Sequence, residues 1–239
     1  MKPTIIWSLM TIVLFACSPM QKLQEDVSQG IFIGTIVEVD KTLFGVSYQP
    51  IGTPQITKML SLSVQEVPFT KRTFKKYNDL KLSQGKKPYF VFNDSLDIKP
   101  TYFNFTITDR IGLLKSLNSV DNSTIRQYLM QDSEYALIDE ISVIVDEKQR
   151  GMLSDAKIIF LFENSFGNLV IKSVSKNIED VIPVEIEDIF NMQTLTPCWG
   201  LNKFRQSEIQ SLVRDGSCPK GTKLNSTDLK NENPYLKLR

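Results

Sequence analysis

The side chains that can do chemistry in this chain fall into four groups. They are cysteines at 17, 198 and 218, Ser-x-x-Lys spacings, clustered carboxylates and a block of cations. Ser83-Gln-Gly-Lys86 and Ser173-Val-Ser-Lys176 have the spacing at which a lysine can take the proton of a serine nucleophile. With 21 serines and 21 lysines in 239 residues, roughly two such spacings arise by chance. The supporting Ser-Asp-Asn and Lys-Thr-Gly motifs are missing, so serine catalysis is not expected. Glu185, Glu187 and Asp188, or Asp139 and Glu140, are carboxylate sets of the kind that hydrolyse glycans by acid–base chemistry. Solvated surface is the plainer expectation for both sets.

The cations are concentrated. Residues 71–87 hold Lys71, Arg72, Lys75, Lys76, Lys81, Lys86 and Lys87 against one acid, Asp79. With Phe74, Tyr77 and Tyr89 close by, Lys71, Arg72, Lys75, Lys76, Lys86 and Lys87 form a candidate grip for phosphate, anionic polysaccharide or lipid head groups. The competing expectation is a solvated helix face, offset by the acidic stretches 132–147 and 179–188. Histidine is absent from the whole chain. That removes Ser-His and Cys-His machinery, histidine-ligated metals and the commonest general base. No cofactor or metal site is expected.

Cys17 belongs to an address. Lys2 gives a positive start, Ile5 to Ala16 form an apolar run broken by Ser8 and Thr11, and Leu14-Phe15-Ala16-Cys17 closes it. Twelve residues span only about 18 Å as a helix, short of the roughly 30 Å hydrocarbon core, so the run suits a signal peptide better than a transmembrane anchor. The ending resembles the lipobox of bacterial lipoproteins, with Phe15 bulkier than the usual residue at its place. The resemblance covers the first twenty residues and implies cleavage before Cys17, acylation of that cysteine and attachment to a membrane facing away from the cytoplasm. Ser18 after the cysteine, read by the enterobacterial sorting rule, implies the outer membrane. In an exported chain the remaining Cys198 and Cys218 are expected to form a disulfide; the alternative is two free, buried thiols.

These groups need elements to hold them. The mature chain carries 27 basic and 27 acidic residues, so no global bias toward nucleic acid or an anionic membrane exists. Residues 17–29 read as a polar tether, 30–224 as one globular domain and 225–239 as a polar tail. Strand signals fall at 30–39, 44–49, 102–108, 136–145, 156–162 and 169–174, with 163–168 as a hairpin loop. Helix signals fall at 70–82, at 111–117, after the caps Asp121-Asn122-Ser123, and at 206–214 with Gly216 as its stop. Residues 182–192 suit either state. The class is therefore α+β, a mainly antiparallel sheet with a few short helices and a C-terminal helix stapled by the disulfide. The function expected is that of a non-enzymatic envelope lipoprotein binding an envelope protein or anionic glycan, without nucleic acid. A carboxylate-dependent glycan or peptide hydrolase and a surface inhibitor or immunity lipoprotein are the alternatives.

Overall fold

A computed structural model describes residues 30–229 except 44, 94, 96, 176, 177 and 215. Cys17, the signal segment and the tether lie outside the described residues. The elements run β1 (Ile36–Thr42), β2 (Gly45–Gly52), β3 (Leu60–Pro68), α1 (Lys71–Ser83), β4 (Thr101–Ile107), α2 (Arg110–Leu117), α3 (Ser123–Leu129) and β5 (Tyr135–Val143). They continue with α4 (Glu147–Asp155), β6 (Ile158–Glu163), β7 (Leu169–Ser175), β8 (Ile178–Ile182), β9 (Ile189–Leu201) and β10 (Ser207–Val213). The strands form an antiparallel sheet in the order β10-β9-β5-β4-β3-β6-β7-β8. The α+β class and its mainly antiparallel sheet are thus present.

The sheet branches at β5. Along one edge, β1 pairs with residues 135–137 and β4 takes over at 140–143, while β9 runs along the other edge. On β4, Phe103, Phe105 and Ile107 point into the main core, together with Ile141 and Val143 of β5. Leu113 and Leu117 of α2 and Leu129 of α3 complete that core. The alternate residues, Asn104 and Thr106 beside Ser142 and Glu140, turn to the opposite face, as the period of two requires. On that face α1 covers a second cluster of Phe69, Tyr77, Tyr102 and Phe190. Thr70 caps α1 in a reciprocal capping box with Thr73, so the helix starts where the sequence places it.

The segment 206–214 is a strand, β10, and not the expected helix. Its apolar residues Ile209, Leu212 and Val213 have helical spacing, but a bulge produces that spacing. The register with β9 slips between Ile209 and Ser211, so Ile209 faces Trp199 and Leu212 faces Pro197 on one side of the sheet. The disulfide therefore staples a hairpin and its return, not a helix. Cys198 on β9 is joined to Cys218, and the chain then pairs Lys223 with Trp199 through backbone bonds of 2.7 and 2.9 Å. Asn118 at the end of α2 meets the bulge, accepting from the Ile209 amide at 3.0 Å and donating to its carbonyl at 2.7 Å.

Three smaller differences have local causes. α4 was not anticipated; the Asp146–Gln149 capping box starts it, but Leu153 is its one buried side chain, so no apolar stripe marks it. Asn122 stands at the N-cap of α3, yet its buried amide bonds Gln55 instead of the helix. The packed body also runs on to Leu229, because Ser226 donates to the Met130 carbonyl at 3.0 Å and Leu229 enters the core. Replacing Cys198 and Cys218 together by alanine is expected to cost about 3 kcal/mol, the loop-closure value for about twenty residues. Denaturant unfolding measures it, and equal midpoints for the two proteins would show that the bridge adds nothing.

Candidate functional site

Asp139 and Glu140, expected on solvated surface, are instead the centre of a buried charge network. In β5 the register against β9 passes from Ile138↔Thr194 to Glu140↔Gln193, leaving Asp139 as an extra residue. A regular strand would send neighbours to opposite faces. The bulge brings both to one face, where Arg214 Nη2 donates to Asp139 Oδ2 at 2.7 Å and to Glu140 Oε2 at 2.9 Å. Arg110, the first residue of α2, reaches the same Asp139 oxygen at 2.7 Å, its helix started by the Asp109 cap on Gly112. Gln193 and Thr106 complete the coordination of Glu140 at 2.7 and 3.0 Å.

The Asp139 side chain is 0% exposed. Burial raises its carboxyl above the ordinary 3.8, while the two guanidinium groups pull in the other direction. Asp139 Oδ1 and Arg110 Nη1 are both buried without a hydrogen-bond partner. Two cations against two carboxylates leave this network formally neutral, which suits it to holding β5, α2 and the end of β10 together.

One register further along the same face, Asn191 donates to Ser142 at 3.2 Å and Ser142 donates to Asn104 at 2.7 Å. There β9 carries its own bulge, with Phe190 as the extra residue between the pairs Val143↔Ile189 and Ser142↔Asn191. Phe190 thereby joins the aromatic cluster under α1, and Asn191 accepts from Lys76 at 2.6 Å. Burial and the nearby Arg72 lower the Lys76 ammonium.

The cation block of α1 divides in two. Lys81 is 1% exposed and bonds Asp188 at 2.6 Å, with the Tyr89 ring 5.3 Å from its ammonium. Lys86 bonds Glu187 at 2.8 Å; this contact raises the lysine and lowers the glutamate. The acidic stretch 179–188 thus engages Lys81 and Lys86, through Asp188 and Glu187. Lys71, Arg72, Lys75 and Lys87 are exposed, with no ion pair or side-chain hydrogen bond among the described residues. Ser83 is exposed and donates to the Leu80 carbonyl, and Ser173 is buried in β7, while Lys176 lies outside the described residues. Trp199 is buried in the main core and offers no ligand platform.

A cleft of about 900 Å³ lies beside α1, between segment 89–101, α4 and residues 183–188. Its wall carries Glu66, Asp146, Glu147, Glu185 and Asp188 against Lys99 and Arg150. Arg150 pairs with Glu66, whose carboxyl is held low first by the Thr101 hydroxyl and then by Arg150. Glu147 and Glu185 have no ion pair or side-chain hydrogen bond among the described residues. Tyr89, Phe90 and Ile98 form an apolar rim. Glu185 and Asp188 were foreseen as a carboxylate set. Glu147 and Arg150 were missed with their helix, and Glu66 gives no signal of its own. Comparison with protein-family models, curated proteins and solved structures matches the chain to none of them.

Asp139→Asn tests the electrostatics of the bulge. A raised carboxyl favours the folded state while protonated, so its contribution is complete below about 3.8 and is lost as pH rises through the higher folded value. The stability of the native protein minus that of the Asn variant should therefore fall with pH from about 3.8 upward and then level off. Unfolding midpoints at several pH values read this directly. A rising difference would mean that the two guanidinium groups outweigh burial.

Proposed function

We propose that this chain is a lipid-anchored, extracytoplasmic binding protein, held at Cys17 in the outer membrane of a bacterial envelope. The observation that carries the binding role is the acidic cleft with its apolar rim. On its wall Glu66 and Asp188 are paired with Arg150 and Lys81, so Glu147 and Glu185 select a cationic or hydroxyl-rich segment, and Tyr89, Phe90 and Ile98 offer area for its apolar stems. Such a segment is best supplied by a basic stretch of another envelope protein. The charge of the wall argues against an anionic glycan in the cleft. Asp139 is unsuited to general acid work, because its side chain is 0% exposed and is out of reach of a substrate.

The hydrolase reading retains one supporting observation: Glu147 and Glu185 line a single cleft, each without a side-chain partner. An inhibitor or immunity role would use the same cleft and rim against an enzyme.

Two measurements test the proposal. A fatty-acid probe should label the native protein in cells and leave Cys17→Ala unlabelled; equal labelling would sink the anchor. A lysine-rich hexapeptide should bind the purified protein and lose roughly fivefold in affinity in the double variant Glu147→Gln, Glu185→Gln. Unchanged affinity removes the cleft as the site. Cleavage of a peptide or glycan that the same substitutions abolish replaces binding with hydrolysis.

A further inference from the structure

On the reading of the cleft as a site for a basic segment of another protein, we infer that the outer edge of β8 takes up that segment as an additional strand. β8 is the last strand of the order β10-β9-β5-β4-β3-β6-β7-β8, so one of its edges has no strand beside it among the described residues. The β6–β7 turn decides which groups that edge offers. The Asn164 amide donates to the Asn168 carbonyl at 2.9 Å, so residue 168 faces β6. Backbone groups alternate between the two edges along an antiparallel strand, so Ile171, Ser173 and Ser175 face β8. Their register partners Ile182, Asp180 and Ile178 face back toward β7. The N–H and C=O of Glu179 and Val181 therefore turn outward, with no backbone partner among the described residues. An antiparallel strand laid there closes four hydrogen bonds on these two residues.

The other outer strands are less open to such an addition. On β10, Asn118 occupies both the amide and the carbonyl of Ile209. β2 carries Pro50, and its register with β1 slips between Ile36 and Val37. At β8, by contrast, two cavities open beside the free edge, and Val181 stands in the wall of both. One, of about 360 Å³, is lined by Phe32, Leu169, Ile171 and Val184 and suits apolar side chains. The other, of about 450 Å³, lies against α4 and sets Asp146 and Asp180 against Lys148. Strand addition draws its affinity from the backbone and its selectivity from pockets of this kind. The segment that fits carries both apolar and basic residues.

Charge and continuity select the occupant. Glu179 is bonded by Lys172 at 3.3 Å, while the Asp180 carboxylate has no ion pair or side-chain hydrogen bond among the described residues. A second copy of β8 would set Glu179 and Asp180 against the same two acids, which opposes pairing between copies. A basic strand meets no such repulsion. The cavity against α4 also shares Asp146, Gln149 and Pro183 with the acidic cleft. One extended segment can therefore leave the cleft and continue along the edge of β8.

The probe is a peptide of alternating lysine and valine, about ten residues long to span edge and cleft, titrated against the full-length protein beside the lysine-rich hexapeptide. Hydrogen exchange read by mass spectrometry should slow about tenfold at Glu179 and Val181 when the longer peptide is bound. Methylating every second backbone nitrogen of that peptide should weaken it about tenfold through lost hydrogen bonds. Val181→Pro should weaken it about as much and leave the hexapeptide unchanged, because an edge strand tolerates proline where the N–H faces outward. Equal affinities for the methylated and unmethylated peptides, or no protection at Glu179 and Val181, overturn the added strand. The cleft reading survives that result if the hexapeptide still responds to Glu147→Gln, Glu185→Gln. If neither peptide responds to those two changes while protection at β8 persists, the cleft falls and the edge stands alone. Protection of Glu179 and Val181 in the peptide-free protein that is lost on dilution assigns the edge to a second copy and overturns the partner strand.

Discussion

A carboxylate with no access to water sits where the sheet branches. Asp139 occupies the bulge at which β1 leaves the edge of β5 and β4 takes it over, and its charge is met by one arginine from α2 and one from the end of β10. A buried, unpaired charge would be intolerable, so the two arginines must be in place whenever the sheet is complete. That requirement fixes the position of α2 over the sheet and the course of the chain after Val213. Asn118 holds the other end of α2 on the Ile209 bulge, so the helix is clamped at both ends. Much of the arrangement of the C-terminal hairpin follows from this one group.

Bulges also build the functional surface. At Asp139–Glu140 and at Phe190–Asn191, an extra residue places two neighbours on the same face of the sheet. The first pair makes the charge network. The second gives α1 an aromatic bed through Phe190 and a polar contact through Asn191 and Lys76. With α1 fixed in this way, Lys81 and Lys86 face residues 187 and 188, and the cleft forms between that turn, segment 89–101 and α4. The cleft and the exposed basic strip are thus two products of one packing arrangement.

Those same bulges decide what could be read from sequence. Strands with regular alternation were legible: β4 shows Phe103, Phe105 and Ile107 against Asn104 and Thr106, and α1 shows its apolar stripe of Phe74, Tyr77 and Leu80. Where an extra residue breaks the period of two, the pattern misleads. Ile209 and Leu212 read as helical because the bulge lies between them, and the adjacent acids Asp139 and Glu140 read as surface because charged side chains are rarely buried. The disulfide needed only two cysteines and an oxidising compartment. The cleft needed tertiary structure, since Glu66, Glu147 and Glu185 come from three distant segments.

The order of the strands has a consequence for how the chain reaches this state. A polypeptide emerges N-terminus first, from a ribosome or from a translocation pore. Yet Ile36 must wait about a hundred residues for Leu137, and β5 must then wait for β9 before its second edge is closed. The last covalent tie, at Cys218, comes later still. Pairs such as β1–β2 and β3–β4 can close early, but the branch at β5 stays open until β9 is present. A topology with such late closure completes its sheet only once nearly all of the chain is present.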